Sequence, residues 1–139
     1  MKAVRTEKGF TLIELLVVLA VLGLLAGLVG PQIVGHLSEA KSTTARTQIN
    51  LLDVALDSYR LDNGGYPTTE QGLAALRERP TRDPVPSSWR GPYLRKAVPL
   101  DPWGRPYIYR ADQTGFELQT LGRDGKPGGT AEDEDLNGS

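Results

Sequence analysis

Residues 10–29 read FTLIELLVVLAVLGLLAGLV, and Thr11 and Glu14 are the only polar side chains among them. As a helix this run extends ~30 Å, the thickness of a bilayer's hydrocarbon core. A short basic segment precedes it, with Lys2, Arg5 and Lys8 set against Glu7. Cations on that side hold the N-terminus in the cytoplasm and place the rest of the chain across the membrane. A secretory signal peptide has a shorter apolar region followed by a small-x-small cleavage site. Here Ala26 and Gly27 are small, but no polar cleavage region follows, and the run passes into further helical sequence.

The remaining composition narrows the class. A length of 139 residues leaves room for one domain and a long appendage. A net charge of -1 gives no nucleic-acid footprint. Cysteine is absent, which excludes cysteine-ligated zinc and thiol chemistry. A small extracytoplasmic head without disulfides is held by core packing, by neighbours or by a metal. His36 is the only histidine, so serine–histidine–carboxylate chemistry would depend on one residue beside the membrane segment. The chain reads as a non-enzyme.

Glu14 is a carboxylate inside an apolar helix, which costs roughly 2.5–3.5 kcal/mol at a membrane centre and less near an end. A cut between Gly9 and Phe10 would create an α-amine four residues before it. Between staggered helices, that amine and Glu14 would pair and set register as well as attraction. The alternative is an interfacial glutamate that stays hydrated or protonated, and physics alone leaves both readings open.

Lys8-Gly9-Phe10-Thr11-Leu12-Ile13-Glu14 resembles the processing motif of the type IV pilin superfamily. The resemblance implies that prepilin peptidase cuts after Gly9 and N-methylates Phe10. It also implies that Glu14 is the assembly glutamate and that the apolar segment is retained.

Gly23 and Gly27 have the small-xxx-small spacing that permits close helix approach in lipid. Pro31, after Gly30, removes a helix hydrogen bond and can kink or loosen the preceding turn; the alternatives are that the membrane helix ends there or continues, and continuation is favoured. Periodicity then resumes. Ile33, Val34, Leu37 and Ala40 form one stripe, and Ala45, Ile49, Leu52, Leu56 and Tyr59 continue at intervals of four and three. The pattern predicts an amphipathic helix packed on a head and ended by Asn63-Gly64-Gly65. Thr68 and Gln71 have capping-box spacing, which predicts a second helix through Arg77, stopped by Pro80. Pro84 and Pro86 mark an irregular loop, and Tyr93-Leu94 reads as a short extended piece. Tyr107-Ile108-Tyr109 and Phe116-Glu117-Leu118 alternate around a glycine-containing turn, which predicts an antiparallel hairpin. The expected fold is α+β: a long N-terminal helix on a small C-terminal antiparallel sheet. The expected divisions are a leader at 1–9, a membrane or fibre-core helix at 10–30, an amphipathic helix at 31–63 and a periplasmic head at 64–139.

Three blocks of the head carry a narrower resemblance. Residues Leu61 to Leu73, Pro99 to Tyr107 and Leu121 to Gly129 are similar to segments of type II secretion major pseudopilins, the general secretion pathway protein G family. That resemblance implies a homopolymer in the periplasm, assembled from a single-pass inner-membrane precursor. It also implies minor pseudopilins, an assembly platform with its ATPase, and an outer-membrane channel as partners. Growth of the fibre would help export folded proteins. The rival readings are a surface type IV pilin and an anchored periplasmic calcium-binding module.

The C-terminus is acidic, with Glu132, Asp133, Glu134 and Asp135 following Gly128-Gly129. Composition alone reads it as a solvated tail. Asp133 to Gly138 matches the first half of an EF-hand loop, without the closing glutamate or exit helix, so an EF-hand is rejected. The resemblance implies calcium in this loop, with Asp124 and Asp135 as side-chain ligands and Leu121 offering its carbonyl. Asp133 and, more weakly, Thr130 complete that expected set.

Overall fold

The computed structural model describes residues 9–112 and 114–138, with backbone only at 30–34. The basic residues of the leader, Lys2, Arg5 and Lys8, lie outside the described residues. A helix, α1, spans Leu12–Asn63 and runs through Gly30 and Pro31 without a break. The chain divides into two compact units, residues 1–37 and 38–139.

In the first unit, Leu12–Val29 has a mean hydropathy of 2.8, and none of it is buried. Leu, Val and Ile side chains stand exposed on every face of this segment. A helix that is apolar all round is stable only when something apolar surrounds it.

The second unit holds the core. Ala45, Ile49, Leu52, Leu56 and Tyr59, the five residues of the predicted stripe, are all buried, as is Ala55. Leu37 and Ala40 are exposed, so the core-facing stripe begins nearer Ala45 than the periodicity indicates. The described strands form one antiparallel sheet in the order β1-β2-β3, with β1 Ile108–Ala111, β2 Phe116–Thr120 and β3 Leu136–Asn137. The predicted hairpin is β1 and β2, registered Tyr109 against Leu118. Tyr107, Tyr109, Leu118 and Leu136 join the α1 stripe in a single cluster.

Two local expectations change. The capping box forms, with Thr68 N–H donating to Gln71 Oε1 at 3.0 Å and Gln71 N–H to Thr68 Oγ1 at 3.2 Å. No α-helix follows; a short 3-10 helix, Leu73–Leu76, does. Gly72, at φ 61° and ψ -168°, breaks helical continuity immediately after the box. The segment is used as a strap instead. Thr69 Oγ1 exchanges hydrogen bonds with the Ala111 backbone, and Gln71 Nε2 donates to the Arg82 and Pro84 carbonyls. The expected extended piece at Tyr93-Leu94 is irregular, and its amides donate to the Leu76 carbonyl.

Candidate functional site

Two regions carry the candidate residues, one in each unit. At the start of α1, Gly9 and Phe10 precede the helix, and Phe10 is exposed. Glu14 N–H donates to Thr11 Oγ1 at 3.3 Å, and Thr11 N–H donates to Glu14 Oε2 at 3.4 Å. This is a capping box: the helix's first amides are satisfied by its own side chains. Sequence reasoning weighed Glu14 as the partner of a neighbour's amine or as a hydrated or protonated interfacial carboxyl, and not as a cap. The Thr-x-x-Glu spacing just before an apolar run was the available signal for its local role. A carboxylate in the first turn also faces the positive end of the helix dipole.

The C-terminal region lies between β2 and β3. It is not a loose tail. Leu136 is buried and pairs with Thr120, Asn137 pairs with Gln119, and Gly138 N–H donates to the Leu118 carbonyl at 2.7 Å. Pattern reading missed β3 because only two residues, one of them polar, make the strand. Residues 121–135 therefore form a loop closed at both ends by the sheet. Close approach within it requires glycine at two places. A side chain on Gly122 would strike the backbone of Glu132 to Glu134 at 2.7–2.9 Å, and one on Gly129 would strike the Asp133 carbonyl.

A buried carboxylate anchors the near side of this loop. Asp101 Oδ1 accepts from the amides of Trp103 at 3.0 Å and Arg105 at 2.8 Å, and Oδ2 accepts from Thr120 Oγ1 at 2.5 Å. The Asp101-Pro102-Trp103-Gly104 turn is thereby fixed to the end of β2. From it, Trp103 Nε1 donates to Glu132 Oε1 at 3.1 Å. The Arg105 guanidinium donates to the carbonyls of Gly122 and Arg123. Sequence reading identified the turn but not these two functions.

The candidate calcium ligands have different surroundings. Asp133 is gripped by Arg123, whose Nε and Nη2 donate to its two oxygens at 2.9 and 3.0 Å. Asp124 Oδ1 accepts only a local bond from Lys126 N–H at 3.0 Å, and Leu121 O accepts from Gly125 N–H at 3.2 Å. Asp135 Oδ2 accepts from Gly128 N–H at 2.8 Å. Its Oδ1 is buried and has no hydrogen-bond partner among the described residues. Thr130 is exposed and precedes a short 3-10 helix, Ala131–Asp133. Among the described residues no three acidic or histidine side chains gather as a metal cluster, so Asp124, Asp133 and Asp135 do not form a three-carboxylate cage. A hard cation here would draw on carbonyls as well as carboxylates. The donor set fits such an ion at Asp135, where a buried carboxylate oxygen lacks any donor, since an unsatisfied buried charge is costly.

Trp103's hydrogen bond holds the Glu132 carboxyl below its ordinary value, helped by Ser38 and by the charges of Arg123 and Lys41. Burial pushes the Tyr107 hydroxyl up to about 12, with the Asp101 charge adding to the effect.

Comparison with known proteins covers both regions of the chain. Residues 32–139 match the family described as Type II secretion system (T2SS), protein G, and residues 4–30 match the prokaryotic N-terminal methylation motif. The type II secretion system core protein G of Pseudomonas aeruginosa is 48% identical over 134 residues, 95% of this chain and 94% of that protein. The corresponding protein of Vibrio cholerae is 44% identical over 139 residues, 98% of this chain and 94% of that protein. The crystal structure of the major pseudopilin from the type 2 secretion system of enterohaemorrhagic Escherichia coli superposes with a TM-score of 0.63 at 38% identity. That match covers 77% of this chain and 93% of that one.

Proposed function

The chain belongs to the type II secretion system protein G family, and we infer from that premise how its two regions work. It is a pseudopilin, a structural subunit whose N-terminal motif fits prepilin peptidase processing. The observation that carries the reading is the Leu12–Val29 segment, which is apolar on every side and covered by nothing within its own chain. Lipid covers it before assembly, and neighbouring subunits cover it in the fibre.

In this reading the precursor spans the inner membrane once, with its basic end in the cytoplasm. Prepilin peptidase cleaves between Gly9 and Phe10, and Phe10 becomes the methylated terminus. The exposure of Phe10 just before the helix supports its access to an enzyme. The freed amine then competes with the Thr11 amide for the Glu14 carboxylate, and a neighbour's amine pairs with it in the fibre. Gly30 and Pro31 give the helix a place to loosen during packing. The ATPase-driven platform and the minor pseudopilins act on this subunit, and fibre growth in the periplasm pushes folded proteins outward. The work is mechanical, and no catalytic role is assigned to the chain.

Calcium is the ion we assign to the C-terminal loop, with Asp124, Asp135 and the Leu121 carbonyl as the favoured ligands. When bound, it supplies a divalent charge that neutralises carboxylates and closes irregular backbone. The partnerless Asp135 Oδ1 supports the assignment. The chain's own residues shape the loop: Gly122 and Gly129 permit close packing, and Arg105 holds the turn carbonyls.

The decisive experiment is mass spectrometry of the mature protein. A methylated Phe10 terminus is expected. Filaments built from protein that retains residues 1–9 would overturn the mechanism. Native-expression microscopy separates the rivals, since long surface fibres would favour a type IV pilin.

A further inference from the structure

The four consecutive acids Glu132 to Asp135 are treated unequally by the fold. Glu132 receives Trp103 Nε1 at 3.1 Å, Arg123 Nη1 at 3.4 Å and Lys41 Nζ at 3.8 Å. Asp133 receives the Arg123 fork at 2.9 and 3.0 Å. Glu134 lies 3.9 Å from Arg46. Among the described residues Asp135 receives no cation, only the Gly128 amide, and keeps a buried oxygen without a partner. Three of the four charges thus have a cationic partner from this chain, and one does not.

Arg123 has the strongest claim among these cations. Its own amide donates to the Glu132 carbonyl at 2.8 Å, so main chain and side chain grip the same short stretch. The two-pronged contact with Asp133 is the geometry in which a guanidinium binds a carboxylate best, and lysine cannot reproduce it. Arg123 lies beside Asp124, on the limb of the loop opposite Asp133. The pair therefore ties the two limbs together next to the proposed ligands.

We propose that Arg123 is a resident counter-cation of this loop: it occupies Glu132 and Asp133, holds the limbs closed without metal, and withholds Asp133 from any bound divalent ion. The inference rests on the calcium reading above and deepens it. A calcium loop's affinity rises with the number of carboxylates it can use. Arg123 subtracts one and places a positive charge nearby, so it sets the loop to a weaker affinity than its acidic sequence promises. Without metal the arginine ties the two limbs of the loop together. With metal, Asp124 and Asp135 take the ion while Arg123 keeps its hold.

The test uses full-length mature protein in detergent micelles, with calcium titrated by calorimetry and melting followed in chelator and in calcium. Arg123→Gln is expected to lower Tm in chelator, to tighten calcium Kd on the order of tenfold, and to regain wild-type Tm once calcium is added. Arg123→Lys should rescue little of the chelator Tm. Asp133→Asn should leave calcium Kd unchanged, because Asp133 is not a ligand. Unchanged or weaker calcium binding by Arg123→Gln, or lost binding by Asp133→Asn, would overturn the proposal. If wild type shows no calcium response but Arg123→Gln gains one, the calcium reading of the wild-type loop falls while the counter-cation stands. If neither protein responds, both fall. Should Arg123→Gln fail to fold, the Asp133→Asn titration decides alone.

Discussion

The two halves of α1 are built from similar apolar residues and use them in opposite ways. From Leu12 to Val29 the apolar side chains point in every direction, and all are exposed. From Ala45 to Tyr59 one stripe of them is buried against the sheet and the Leu73–Leu76 turn, and only Leu51 and Val54 among the large apolar residues face outward. The first half exports its hydrophobic demand to other molecules; the second satisfies it within the chain. The contrast teaches that periodicity, not hydrophobicity, separates an assembly element from a folding element.

The comparison breaks most completely if one half can be disabled without the other. Glu14→Lys should reduce sheared or cross-linked fibres to background while leaving the head's melting unchanged. A matching fall in head Tm would show that the halves are not independent. Leu56→Ala should do the reverse, destabilising the head by about 2–5 kcal/mol in denaturant titration while membrane insertion persists. Asp135→Ala sharpens the picture within the head. On the proposed calcium assignment it should abolish the calcium-dependent part of stability, about 2.7 kcal/mol when calcium is a hundredfold above Kd, with little change in chelator.

Titration gives a smaller effect with a definite sign. Glu132's carboxyl is lowered by the Trp103 hydrogen bond, so its contribution is present above the ordinary carboxylate value of 4.5 and is lost as pH falls through the lower folded value. Tyr107 is raised by burial, so its contribution holds below 10 and fades as pH climbs toward about 12. Melting profiles should therefore lose stability at both ends, and Tyr107→Phe should flatten the alkaline limb. The smallest effect belongs to the outward face of α1: Val54→Ala should change head stability by no more than about 0.5 kcal/mol, since Val54 is exposed.

Legibility in the sequence followed the length scale of each signal. The long apolar run, the stripe from Ala45 to Tyr59 and the hairpin around Tyr109 and Leu118 repeat a period several times, so each could be read directly. Thr68 and Gln71 gave the right hydrogen bonds but the wrong element, because Gly72 and the contacts of Thr69 and Gln71 with distant chain decided what followed. β3 has two residues and no period to detect. Arg123's hold on Asp133 and the use of Asp101 beneath Thr120 join residues 10 and 19 positions apart, which no local pattern records. The motif around Gly9, Phe10 and Glu14 was legible as a methylation motif, while the capping role of Thr11, though signalled by its spacing from Glu14, was not read until the hydrogen bonds were seen.

The position of β3 has a consequence for biosynthesis. Leu136 fills the core with Leu118, and it follows every other residue of that core in the sequence. A nascent head halted at Glu134 would have helix and hairpin but a gap in its interior and an unpaired β2 edge. Such an edge invites mispairing. The head therefore cannot seal until β3 has emerged and docked, however early its helix and hairpin form.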